Sequence, residues 1–85
     1  MKIKPEYKLR NVGVMNIVVS TAGMNFQGII TVNNTGEFIW RMLENGAEEE
    51  EIITSLAKEC SVSPDDIRKD VEDFIASLKG AGILE

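Results

Sequence analysis

The hydrophobic rhythm of the chain changes once, at Asn33. Before that residue, apolar side chains alternate with polar ones or run together in short β-branched stretches. After it, they recur at steps of three and four. Alternation is the period of a strand with one buried face, and the three-to-four step is that of a helix. A chain that carries the strand period first and the helix period second, with no return, is predicted to be α+β in the order β-β-β-α-α-α.

Tyr7-Lys8-Leu9-Arg10-Asn11-Val12 alternates cleanly and predicts the first strand. Gly13 offers a turn. Val14 to Ser20 is apolar apart from Asn16 and Ser20, so it reads as a strand covered on both faces. Ala22-Gly23-Met24-Asn25 is a turn candidate, and Gly28-Ile29-Ile30-Thr31-Val32 the third strand. Short strands with tight connections predict a three-stranded antiparallel meander.

Asn33 and Asn34 can both cap the first helix, and Asn34 with Glu37 has capping-box spacing. Phe38, Ile39, Met42 and Leu43 form its stripe, with Trp40 off centre and expected to be at least partly buried; Asn45-Gly46 ends it. The second helix spans about Glu48 to Cys60, with Ile52, Ile53, Leu56, Ala57 and Cys60 as the buried stripe. Its opening carboxylates, Glu48 to Glu51, are consecutive, so they fan around the axis at the end where the helix dipole favours them and do not converge on a metal or a sugar. The third helix is capped by Ser63, with Pro64 first and Asp65 and Asp66 in the opening turn. Its core face is Ile67, Val71, Phe74, Ile75 and Leu78; Gly80 and Gly82 end it, and Ile83 and Leu84 pack back.

Composition narrows the function. With 85 residues there is room for one domain, 1–85, and one core. No histidine is present, which removes the commonest general base and the commonest metal ligand. A lone Cys60, expected to be a buried packing thiol, makes no zinc cluster and no internal disulfide. No catalytic residue is assigned and no cofactor is expected; a carboxylate-only or lysine-based mechanism is the one catalytic route left open. The net charge of −5, with bases scattered after Lys2, Lys4, Lys8 and Arg10, argues against a nucleic-acid partner. No stretch is long and apolar enough for a membrane span, and the N-terminus has no signal-peptide run, so a cytoplasmic location is the expectation.

Val32-Asn33-Asn34-Thr35-Gly36-Glu37-Phe38-Ile39-Trp40 resembles the Leu-Asn-x-Thr-Gly-x-x-Ile-Trp signature of the PqqD-like family, named after protein D of pyrroloquinoline quinone biosynthesis. The similarity continues through Glu51-Ile52 and Leu56, then Asp70-Val71-x-x-Phe74-x-x-x-Leu78 and Gly82-Ile83-Leu84, and so spans about residues 7–85. Val32 stands where Leu is usual, a mild apolar exchange. The resemblance implies a winged helix-turn-helix-like module, not an enzyme. Such a module captures the leader segment of a ribosomally made precursor peptide as an added strand and presents it to a modifying enzyme, often of the radical S-adenosylmethionine type with iron–sulfur clusters.

On that reading the peptide-binding residues are Gly28, Ile29, Ile30, Thr31 and Val32 on the third strand, with Lys69, Asp70, Asp73, Phe74 and Ser77 on the third helix. The strand carries neither charge nor proline, the usual guards of an edge, which suits an edge meant to be occupied. An interior strand, or one covered by the chain's own terminus, fits the same residues. Phe74 is equally a core residue, and Asp70 and Asp73 equally a solvated helix face. Lys69 is expected to meet an acidic leader. Two other functions are weighed: a winged-helix DNA-binding protein, which the carboxylates of the third helix oppose, and a purely protein-assembly adaptor. An open edge also suits pairing with a second copy of the chain, so a homodimer is a further expectation.

Overall fold

A computed structural model describes residues 2–20 and 30–84. Its elements are β1 (Tyr7–Val12), β2 (Met15–Ser20), β3 (Ile30–Val32), α1 (Asn34–Glu44), α2 (Glu49–Cys60) and α3 (Pro64–Gly80). The strands form one antiparallel sheet in the order β1-β2-β3, and the three helices follow. This is the α+β order expected from the change of period, and it is compatible with a winged helix-turn-helix. The turn candidate at residues 22–25 and the first two residues of the expected third strand, Gly28 and Ile29, lie outside the described residues.

The β1–β2 hairpin closes on two residues, Gly13 and Val14. Gly13 has φ +60, the left-handed first position of a type II′ turn, where a side chain would be strained. The register pairs Leu9 with Val18 and Asn11 with Asn16, so these four share the face turned to the helices. The opposite face is not covered by any described element. Ile17 and Val19 are half-buried there, and Val14, in the turn, is 99% exposed. The strand expected to be covered on both faces is covered by the helices on one, and its second face is open at the turn end, where Met15 is 51% exposed. Within the sheet, Arg10 and Thr31 flank Ile17, and Lys8 lies beside Val19.

The core joins Leu9 and Val18 to Ile39, Trp40 and Leu43 of α1, Ile52, Ile53 and Leu56 of α2, and Val71, Ile75 and Leu78 of α3. Ile3 and Ile83 complete it, and the two ends of the chain meet in an Ile3↔Leu84 bridge and a 2.8 Å hydrogen bond from the Lys4 N–H to the Ile83 carbonyl. Trp40 is fully buried, and Phe38 and Met42 only partly. The buried arc of α1 is thus rotated by roughly a fifth of a turn from the expected stripe. A helix wedged between a sheet and a second helix buries a wider arc than an amphipathic surface helix, and Trp40 lies on the added part. Cys60 is exposed, contrary to expectation. It is the last residue of α2, where the chain leaves the core through Ser61 in a left-handed conformation, φ 57.

Polar side chains fix the hairpin to α1. The Asn11 amide donates to Asn16 Oδ1 at 2.7 Å and to Glu37 Oε2 at 2.8 Å, and the Asn16 amide donates to Asn34 Oδ1 at 3.2 Å. Arg41 closes the chain of bonds on Asn11 Oδ1 at 3.3 Å. This explains why Asn33, and not Asn34, caps α1: the Asn34 and Glu37 side chains are engaged by the sheet. Asn33 Oδ1 accepts the Gly36 N–H at 2.7 Å instead.

Candidate functional site

The hairpin turn decides which main-chain groups of β3 face outward. In a two-residue hairpin the flanking pair, Val12 and Met15, exchanges hydrogen bonds, and bonding pairs then alternate along the ladder. Met15, Ile17 and Val19 therefore address β1, whereas Asn16 and Val18 address β3. Their partners Val32 and Ile30 bond inward, which leaves the Thr31 N–H and C=O pointing away from the sheet. Among the described residues β3 pairs with β2 alone, so Thr31 presents one donor and one acceptor at a free edge.

Beside that edge lies a groove of about 370 Å³ between the start of α1 and the middle of α3. One wall is Asn33, Thr35, Gly36 and Ile39; the other is Asp70, Asp73, Phe74 and Ser77. Gly36 is where three elements converge. A Cβ on it would stand 3.0 Å from Phe74 Cε1, 3.1 Å from Val32 Cβ and 3.3 Å from the capping Asn33 Oδ1. Without a side chain there, the end of β3 and the Phe74 ring can close on α1 from both sides. The floor is apolar, from Ile39 and Phe74, and the α3 rim is acidic.

Four of the residues singled out on the third helix, Asp70, Asp73, Phe74 and Ser77, line this groove together. The helix period places them so: they fall at steps of three and four on one face. Phe74 is half-buried, packs against the core and lines the groove, with its Cε1 toward Gly36. Ser77 donates its hydroxyl to the Asp73 carbonyl at 3.0 Å. Lys69 does not line the groove; its ammonium is 3.1 Å from Asp73 Oδ2 on the exposed side. Arg68 is drawn away toward α2, where it donates to Glu50 Oε1 at 2.7 Å. That hydrogen bond holds the Glu50 carboxyl below the usual glutamate value; desolvation opposes it, and the charge of Arg68 adds a lesser effect in the same direction as the bond.

On β3, Val32 packs on the core and Thr31 is exposed; Ile30 is paired with Val18. Gly28 and Ile29 lie outside the described residues. The other wall, Asn33, Thr35, Gly36 and Ile39, was not among the residues expected to bind peptide. Its one available signal was the absence of any spacer between the third strand and the cap of the first helix, which obliges the opening turn of α1 to lie against the strand.

As chemistry, the arrangement offers main-chain hydrogen bonds, an apolar floor and a rim of carboxylates. Among the described residues no three His, Cys, Asp or Glu side chains converge as a metal site. No described helix is long and apolar enough to cross a membrane.

The family model described as Coenzyme PQQ synthesis protein D (PqqD) matches residues 17–84. Two solved structures share the fold. One, "TbiB1 in Complex with the TbiA(beta) Leader Peptide", superposes with a TM-score of 0.82 at 25% identity, covering 100% of this chain and 95% of that one. The other, "Lasso peptide synthetase B1 complexed with the leader peptide", has a TM-score of 0.79 at 20% identity, covering 96% of this chain and 93% of that one. None of the curated proteins is similar enough in sequence to count as a relative.

Proposed function

The chain belongs to the PqqD family, and from that premise we propose that it is a non-catalytic recognition module for the leader segment of a ribosomally made precursor peptide. The leader adds to β3 as a fourth strand and lies across the groove between α1 and α3. One observation carries this: the outward N–H and C=O of Thr31 stand at an uncharged edge beside a groove with an apolar floor. TbiB1, which shares the fold over the whole length of this chain, was solved with a leader peptide bound. Strand addition supplies hydrogen bonds that any sequence can make, and the groove supplies the choice among sequences.

The whole chain, 1–85, acts as one unit in this role, in the cytoplasm, and delivers the peptide to a modifying enzyme. Family resemblance favours a radical S-adenosylmethionine enzyme for that partner; the module contributes no cofactor. DNA binding gains no support from α3. Of its three bases, Arg68 and Lys69 are engaged by carboxylates, leaving Lys79 at the far end, and Asp65, Asp66, Asp70, Glu72 and Asp73 would repel phosphates.

An NMR titration of the labelled chain with the leader of a precursor peptide encoded beside its gene tests the proposal. Shift changes confined to residues 30–36 and 70–77 are the expected outcome. A folded chain whose shifts stay still at high peptide concentration would sink leader capture for that peptide. Changes at residues 30–32 that grow with protein concentration alone, before any peptide is added, would point to self-pairing of this edge instead.

A further inference from the structure

The charges around the groove go further than its shape. On the premise of leader capture at this groove, we propose that the segment it selects is cationic. The bound strand carries Lys or Arg toward Asp70 and Asp73, next to an apolar residue on Ile39 and Phe74.

The lining holds two carboxylates and no base. Asp70 has no hydrogen bond or ion pair among the described residues. Asp73 shares its charge with Lys69, whose side chain is 83% exposed and holds the carboxylate from outside the groove. An exposed pair of this kind is weak enough for an incoming cation to join or replace it. The facing wall is uncharged, and no Lys or Arg occurs anywhere between Arg10 and Arg41. Neither β3 nor residues 21–29 can therefore neutralise the rim, however those residues are arranged. Arg68, the other base at this level of α3, is bound to Glu50.

The one opposing influence is the positive end of α1, which opens on the groove at Asn33. A helix end amounts to about half a charge, and Asn33 Oδ1 already accepts its Gly36 N–H. Two full carboxylates outweigh it. The spacing also suits a strand. Side chains on one face of a strand recur about 6.6–7 Å apart, and residues three apart on a helix surface are about 5–6 Å apart, so bases two positions apart meet Asp70 and Asp73 in turn. The rim thus reverses the sign expected when Lys69 was taken to face an acidic leader.

The test is selection of a displayed library of random peptides on the immobilised, full-length chain, with sequencing of what is retained. Lys and Arg should exceed Asp and Glu at alternate positions by about five- to tenfold, the product of two exposed charge pairs. The same selection on Asp70→Asn with Asp73→Asn should bring the ratio close to parity. Glu59→Gln with Glu72→Gln, equal in charge change but away from the groove, should preserve it. Both are exposed exchanges that remove no buried contact.

A basic preference that survives the Asp70 and Asp73 exchanges, or falls equally with Glu59 and Glu72, would overturn the proposal, since the net charge alone would then explain it. Retained peptides with an apolar pattern but no basic bias would also overturn it while leaving leader capture intact. Retention of no sequence over an unfolded control would count against capture itself.

Discussion

The sheet has two outer strands, and they are built for opposite fates. β1 is six residues long, carries Lys8 and Arg10 on its exposed face, and is followed by a hairpin whose amides are tied to α1 through Asn11, Asn16 and Asn34. β3 is three residues long, carries no charge, and turns straight into α1 at the mouth of a groove. Both edges offer unpaired main-chain groups among the described residues, yet only one is guarded. Charged side chains beside a free edge raise the cost of adding a strand, because they must be desolvated or moved. The contrast teaches that a free edge is not by itself a binding site. It becomes one where the guards are missing and a groove gives the incoming side chains somewhere to go.

The contrast should break most completely at Thr31. Thr31→Pro removes the one outward N–H of β3 and leaves the inward bonds of Ile30 and Val32 to β2 in place. Calorimetric titration should show leader affinity falling by about tenfold or more, the effect of an unmet hydrogen bond at an interface, with the thermal midpoint little moved. An equal loss of stability would mean that Thr31 bonds inward and that the assigned ladder is wrong.

A smaller effect is expected on the groove side. Gly36→Ala puts a methyl group into contact with Phe74, Val32 and Asn33, so the walls must part by a few tenths of an ångström. Leader affinity should fall by about three- to tenfold, and Phe74→Leu in the same chain, which removes the crowded ring atom, should restore part of it. Failure of the second exchange to compensate would separate the effect from the Phe74 contact.

The smallest effect sharpens the comparison from the other side. Lys8→Thr with Arg10→Thr gives β1 the polarity of β3. Stability should stay within about 0.5 kcal/mol and leader affinity within about twofold. Sedimentation should now show weak self-association at high concentration. No change in association would mean that the charges are not what closes this edge.

The sequence made the architecture legible because period and punctuation agree: strand alternation to Val32, a cap at Asn33, and Ser63-Pro64 opening α3. It was less informative where a choice depends on what lies alongside. Asn33 and Asn34 are equivalent caps in isolation, and only the demand of Asn16 for a partner separates them. The buried arc of α1 follows from having a neighbour on two sides, which a count of apolar residues along one helix does not contain. The α3 wall of the groove was readable as one helix face. Its counterpart on α1 was not, because Asn33, Thr35 and Gly36 carry no hydrophobic signal and matter through what they permit to approach.

Trp40 has a practical consequence. It is the only tryptophan in the chain, fully buried in α1, and its indole N–H has no acceptor among the described residues. It does not line the groove. Its emission therefore reports one event and is blind to the other: a blue-shifted signal that moves when the core opens and stays constant when a peptide docks. The molecule carries a built-in optical control, by which any variant that stops binding can be sorted, without a label, from one that has stopped folding.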